Sequence, residues 1–124
     1  MFLDYAKERY ALEDEKAKAY LSAAFASGAK AILKPWGFLI YLVRGDALLI
    51  LDAYVKPKSR GQKRHLELFN EALALAQSRQ LSTLLTFSMK QGLKQRLGQA
   101  AIAEAGFQPL SELEDRLVFI RGTE

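Results

Sequence analysis

Near the N-terminus apolar residues recur at helical spacing. Tyr20, Leu21, Ala24 and Phe25 fall on one stripe, and Glu13, Asp14, Glu15, Lys16 and Lys18 suggest a solvated face. No Gly or Pro interrupts before Gly28, so residues 1 to about 27 are predicted helical, as one helix or as two broken near Ala11 and Leu12, with Gly28 as the C-cap. The period then shortens. Ala31-Ile32-Leu33 reads as a short strand broken by Pro35-Trp36-Gly37, and Phe38 to Val43 as a second strand. Arg44-Gly45-Asp46 turns the chain into a return strand from Leu48 to Val55, an antiparallel hairpin. The Arg-Gly-Asp triplet matches an adhesion motif, but a glycine-containing hairpin turn accounts for it.

Pro57 has no amide hydrogen to give to a ladder and ends that strand. Leu66, Phe69, Leu73 and Ala76 restore the helical interval, widened by Leu68, Ala72 and Leu75, and carry a helix to about Ser78. Leu81 to Phe87 is the next strand, and a strand–helix–strand connection of this length favours parallel pairing with right-handed crossover. Gln91 to Ala105 reads as a helix weakened by Gly98 and closed by Gly106, Gln108 to Asp115 as a loop, and Arg116 to Arg121 as a terminal strand. The order is helix, three strands, helix, strand, helix, strand. It predicts a mixed α/β fold in one domain over residues 1–124.

Half of the residues are apolar, enough to bury a core in a chain of 124 residues, and no cysteine is present for disulfides, thiolate zinc sites or a cysteine nucleophile. No metal-ligand spacing is visible, so no metal is expected. The first residues lack a basic-then-apolar secretory pattern, and the longest apolar run, Phe38 to Val43, is too short to cross a bilayer. A cytoplasmic protein with no membrane partner is the expectation.

The formal net charge of +4 is a mild bias toward anionic partners, but its distribution says more. Lys56 to His65 holds five Lys or Arg residues and the only histidine, with no acidic residue among them. This segment lies where a strand ends and a helix begins. The unpaired amides and partial positive charge of a helix's first turn, added to those side chains, favour a bound phosphate or pyrophosphate. No exposed aromatic series is interleaved with the charges, so a nucleic-acid partner is not expected.

For chemistry, strict alternation along Leu48–Val55 places Leu48, Ile50, Asp52 and Tyr54 on one face and Leu49, Leu51, Ala53 and Val55 on the other. Asp52 then interrupts an apolar stripe, and burial there would raise its pKa into a range that suits a general base. Tyr54 is an alternative acid. His65 and Ser88 are further polar candidates, with ordinary capping and turn roles to set beside them.

At the basic loop the sequence resembles the GNAT superfamily of acyl-CoA-dependent N-acyltransferases, whose pattern there is V-x-P-x-x-R-G-x-G-x-G-x-x-L. Val55, Pro57, Arg60, Gly61 and Leu68 fall in register. Gly106-Phe107 followed by Leu117-Val118-Phe119-Ile120 looks like the family's closing segment, and the order of elements agrees from about Ala24 to Arg121. The resemblance implies that the edge of the strand ending at Val55 pairs with the pantetheine arm of acetyl-CoA or another acyl-CoA. It implies that backbone amides of Arg60, Gly61, Gln62, Lys63, Arg64 and His65 cradle the pyrophosphate. Acyl transfer to a small-molecule or protein amine would occur where the strands Leu48–Val55 and Leu81–Phe87 splay apart. This chain departs from the pattern at Lys63 and His65, where the family has glycines, and at about Ile102, where it has a proton-donating tyrosine; the family's asparagine corresponds to about Gln95. The alternative is a catalytically inactive GNAT-fold binding or assembly protein, possibly of phage type. A homodimer through a free edge strand or the apolar terminal strand is a further open pairing.

Overall fold

A computed structural model describes residues 22–23, 25–61, 63–89, 93–114 and 116–124, with only the backbone described at 89 and 93–98. The predicted N-terminal helix lies outside these residues except for its last turn, which ends at Gly28 in a left-handed conformation with φ 100°. Gln62 also lies outside the described residues.

Six strands follow: β1 (Lys30–Lys34), β2 (Gly37–Arg44), β3 (Ala47–Val55), β4 (Thr83–Met89), β5 (Gln108–Glu112) and β6 (Arg116–Gly122). Two helices, α1 (Arg64–Ser78) and α2 (Leu93–Glu104), connect β3 to β4 and β4 to β5. They form one sheet in the order β1-β2-β3-β4-β6-β5. The β3–β4 pair is parallel and every other pair antiparallel, the arrangement that a helical crossover between β3 and β4 requires. Leu68, Phe69, Ala72 and Ala76 of α1 and Ile102 of α2 join Leu39, Tyr41, Leu48, Ile50, Leu84 and Phe119 in one buried cluster, so both helices cover the same face. Among the described residues no helix is long and apolar enough to cross a membrane.

Residues 108–112, expected to be loop, are the exposed edge strand β5, and Leu110 has no register partner between Pro109–Phe119 and Ser111–Val118. Its residues carry neither alternation nor burial, which hid the strand. The terminal strand β6 is consequently interior, with β4 on one side and β5 on the other, and cannot pair two copies.

The alternation expected along β3 also fails, for a physical reason. Ile40 pairs with Asp52 and Tyr41 with Ile50, so Leu51 is an extra residue, a β-bulge. A one-residue insertion exchanges the faces beyond it. Leu48 and Ile50 face the helices, as do Ala53 and Val55. Asp52 and Tyr54 share the opposite face with Ile40 and Phe38, and the Tyr54 and Phe38 rings lie 5.5 Å apart.

Gly37 sits directly opposite Val55, and a Cβ there would collide with the Tyr54 carbonyl oxygen and approach Val55 Cα to 3.1 Å. We expect Gly37→Ala to force β2 away from the end of β3 and to lower stability by about 1–3 kcal/mol in urea unfolding, the usual range for overpacking.

Candidate functional site

The site begins where the sheet opens. The parallel ladder runs from Ala47–Thr83 to Ile50–Thr86 and ends there. Thr86 Oγ1 lies 3.5 Å from the Ile50 carbonyl oxygen at this last rung. Beyond it β3 continues to Val55 beside β2, and β4 continues to Met89 beside β6. The bulge at Leu51 immediately follows the last rung. An added residue increases local twist and turns β3 away from β4.

On the helix-covered side the chain leaves β3 through a 3-10 turn, Pro57–Ser59, and enters α1 after two unusual residues. Gly61 has φ 82° and Lys63, the N-cap of α1, has φ 58°. Both are left-handed, a region that glycine enters without cost and other residues enter at about 1 kcal/mol or more. Lys63 therefore adopts a backbone geometry that glycine enters most readily. The N-cap Lys63 makes no side-chain capping bond, so the first amides of α1 face the loop. Val55, Arg60, Gly61, Lys63, Arg64, His65 and Leu66 line a cleft of about 220 Å³ completed by Ala101 and Glu104 of α2.

The loop's cations are not equally committed. Arg60 Nε donates to the Val55 carbonyl oxygen at 2.9 Å, and its guanidinium lies 5.5 Å from the Tyr54 ring centre. Arg64 stacks over Trp36 at 4.8 Å and pairs with Glu67 at 3.1 Å. Lys63, with an exposed side chain, reaches Glu104 at 3.1 Å. His65 is half-buried on the cleft wall, and Lys56 and Lys58 are exposed. A carbonyl oxygen has two lone pairs, so the Arg60 contact leaves Val55 able to accept a second donor.

On the opposite side of the opening Asp52 is 5% exposed, among Phe38, Ile40 and Tyr54. Its carboxyl is pushed up from 3.8 to about 8: burial strips water from the charged form, and a hydrogen bond from the Ala53 backbone and the positive charge of Arg116 only partly offset this. Arg116 approaches from β6, opposite Met89. Asp52 and Tyr54 thus share one face at the opening, while Val55 and the loop residues bound the other. Ser88 is buried on β4, two residues beyond the last rung. Ile102, where a tyrosine was expected from the resemblance, is 4% exposed and packs in the core. Glu104, the bulge at Leu51 and the Trp36–Arg64 stack were not foreseen. An acidic residue at a helix end and a tryptophan in a turn carry no motif, and a bulge has no fixed sequence signature. Among the described residues no cluster of His, Asp or Glu has the make-up of a metal site.

No protein-family model matches the sequence, and no curated protein matches it. Solved structures do. PaiA N-acetyltransferase from Thermoplasma acidophilum, in complex with coenzyme A, superposes with a TM-score of 0.68 at 15% identity over 94% of this chain and 74% of its own. The ribosomal-protein-S18-alanine N-acetyltransferase of Escherichia coli gives 0.68 at 12% over 90% and 77%. A GNAT superfamily phosphinothricin acetyltransferase from Sinorhizobium meliloti, in complex with AcCoA, gives 0.62 at 12% over 90% and 70%. At these identities the likeness establishes architecture: the chain has the GNAT fold.

A carboxyl whose pKa is raised on folding makes stability depend on pH. Well below pH 3.8 Asp52 is protonated in the folded and the unfolded chain alike. Above 3.8 the unfolded chain gives up its proton while the folded chain holds it to about 8, so stability drains away across that interval. Asp52→Asn removes this drain. The variant should be more resistant to urea than wild type near pH 8, and the difference should shrink steadily toward pH 4.

Proposed function

We propose that this GNAT-fold chain is an acyl-CoA-dependent N-acyltransferase, most simply an acetyltransferase, acting on a small-molecule or protein amine. The carrying observation is that a basic helix entrance, whose N-cap Lys63 makes no side-chain capping bond, and a buried carboxyl of raised pKa lie on opposite faces of one opening in the sheet. Coenzyme A would enter from the helix side. Its diphosphate would rest on the backbone amides that open α1, with Arg60, Gly61, Gln62, Lys63, Arg64 and His65 as the cradle. Its pantetheine arm would run along the free edge of β3 toward Val55 and the fork, placing the thioester beside the bulge.

The acceptor would arrive from the opposite face. Asp52 would take a proton from its ammonium form, or from the nitrogen as it attacks. The nitrogen bonds to the carbonyl carbon, the carbon–sulfur bond breaks, and the sulfur leaves as a thiolate that takes a proton from Tyr54 or solvent. General base assistance of this kind contributes about 10²–10⁴-fold. A base with a pKa near 8 is matched to an amine, whose proton a normal carboxylate would hold too weakly. Soluble, cytoplasmic behaviour as a single domain fits this reading, and no metal is needed for it.

One observation favours a second reading, a GNAT-fold binding or assembly protein without catalysis: Ile102 fills the core where the family's proton donor would stand. The two readings separate by experiment. Calorimetry with acetyl-CoA should give saturable binding, and acetyl transfer to a panel of amines should be measurable. Asp52→Asn should lower kcat/KM by about 10²–10⁴-fold while leaving acetyl-CoA affinity within a factor of about two. Binding without transfer to any amine would leave the second reading standing. No binding at millimolar acetyl-CoA would remove both the cofactor and the enzyme.

A further inference from the structure

The cofactor cleft contains its own rival anion. Of the described residues that line it, Glu104 alone is acidic, among Arg60, Lys63, Arg64 and His65. Glu104 is the last residue of α2, whose final turn holds no basic residue. A carboxylate at a helix C-terminus faces the negative end of the macrodipole, which disfavours it. It also faces a cleft shaped for an anion. Its contact with Lys63 at 3.1 Å offsets both placements, and the pair bridges the cleft from the entrance of α1 to the end of α2.

Of the Lys and Arg residues that line the cleft, Lys63 is the one best placed to change partners. Arg60 is held by the Val55 carbonyl and the Tyr54 ring, and Arg64 by Trp36 and Glu67. The Lys63 side chain is 74% exposed, and its only tie among these contacts is to a carboxylate that is itself 50% exposed. Exposed pairs of this kind are weak enough to exchange.

We infer that Glu104 competes with the bound diphosphate for Lys63, so that cofactor entry and release proceed by handing the Lys63 ammonium from carboxylate to phosphate and back. The inference rests on the cofactor reading above and goes beyond it. It assigns Glu104 the task of weakening the hold on the cofactor, which hastens release of spent CoA. Nothing covalent changes. One charge-assisted contact is exchanged for another, and Glu104 turns to solvent while the ligand is bound.

The test is a double-mutant cycle on the full chain: wild type, Glu104→Gln, Lys63→Ala and the double variant, each titrated with CoA and with inorganic pyrophosphate. With Lys63 present, Glu104→Gln should tighten both ligands about two- to five-fold, the span of an exposed ion pair, mainly through slower dissociation. In the Lys63→Ala background the gain should largely vanish. An unchanged or weakened affinity in Glu104→Gln would overturn the inference. So would an equal gain in both backgrounds, which would mean simple repulsion, or a gain for CoA without one for pyrophosphate. Binding of CoA with any of these outcomes leaves the cofactor reading intact. Binding of neither ligand by wild type removes that reading and this inference with it.

Discussion

The candidate site depends on one constraint: a parallel ladder that stops after Ile50–Thr86. Two neighbouring strands in a sheet interior ordinarily satisfy each other's amides along their shared length. Here the extra residue Leu51 breaks register with β2 at the point where the β4 ladder ends. Two effects follow from one insertion. β3 turns away from β4, which opens an edge, and its faces exchange, which carries Asp52 to the side away from the helices. Without the bulge Asp52 would point with Ile50 into the packed cluster beneath α1.

The loop after β3 solves a different problem. A turn that aims successive amides at one point, as the proposed diphosphate cradle would, needs left-handed backbone, and glycine supplies it most cheaply. This chain keeps glycine at 61 and places lysine at 63, in nearly the same region of backbone space. The conformational cost of a left-handed lysine is set against an exposed cation at the mouth of the cleft. The shape of the turn is therefore encoded by more than its glycines. The 3-10 turn at Pro57–Ser59, the Arg60–Val55 tie and the Arg64–Trp36 stack fix the chain on either side of Lys63.

Much of the architecture was legible in the residues. Phe38–Val43, Leu48–Val55 and Leu66–Ala76 each bury a face against the core, and a buried face must repeat with the period of its element. The edge strand β5 was not legible, because Gln108–Glu112 buries nothing and its pairing depends on β6 rather than on its own pattern. Position 52 was found, but by a route that needed mending. Alternation marked Asp52 as an intruder in an apolar stripe, yet the stripe it belongs to is that of Phe38 and Ile40, not of Leu48 and Ile50. A bulge is a property of two strands compared, so neither strand's sequence declares it. The Lys63–Glu104 pair was out of reach for the same reason: it joins two helix ends that are distant in sequence and adjacent only after α2 has packed beside α1.

The placement of Asp52 is costly, and that cost bears on what the face is for. A carboxylate 5% exposed among Phe38, Ile40 and Tyr54 loses most of its hydration, and the Ala53 amide and the charge of Arg116 offset that only in part. An asparagine would satisfy the Ala53 amide without the desolvation, and a leucine would extend the apolar wall. Structural economy alone therefore argues against aspartate at this position. What aspartate offers is a site that holds a proton below about pH 8 and releases it above, at the fork of an open sheet. An incoming ammonium would add positive charge beside the carboxyl and draw it into its ionised form. The amine would then lose its proton to the group that its own charge had ionised, at the edge where an acyl donor can lie.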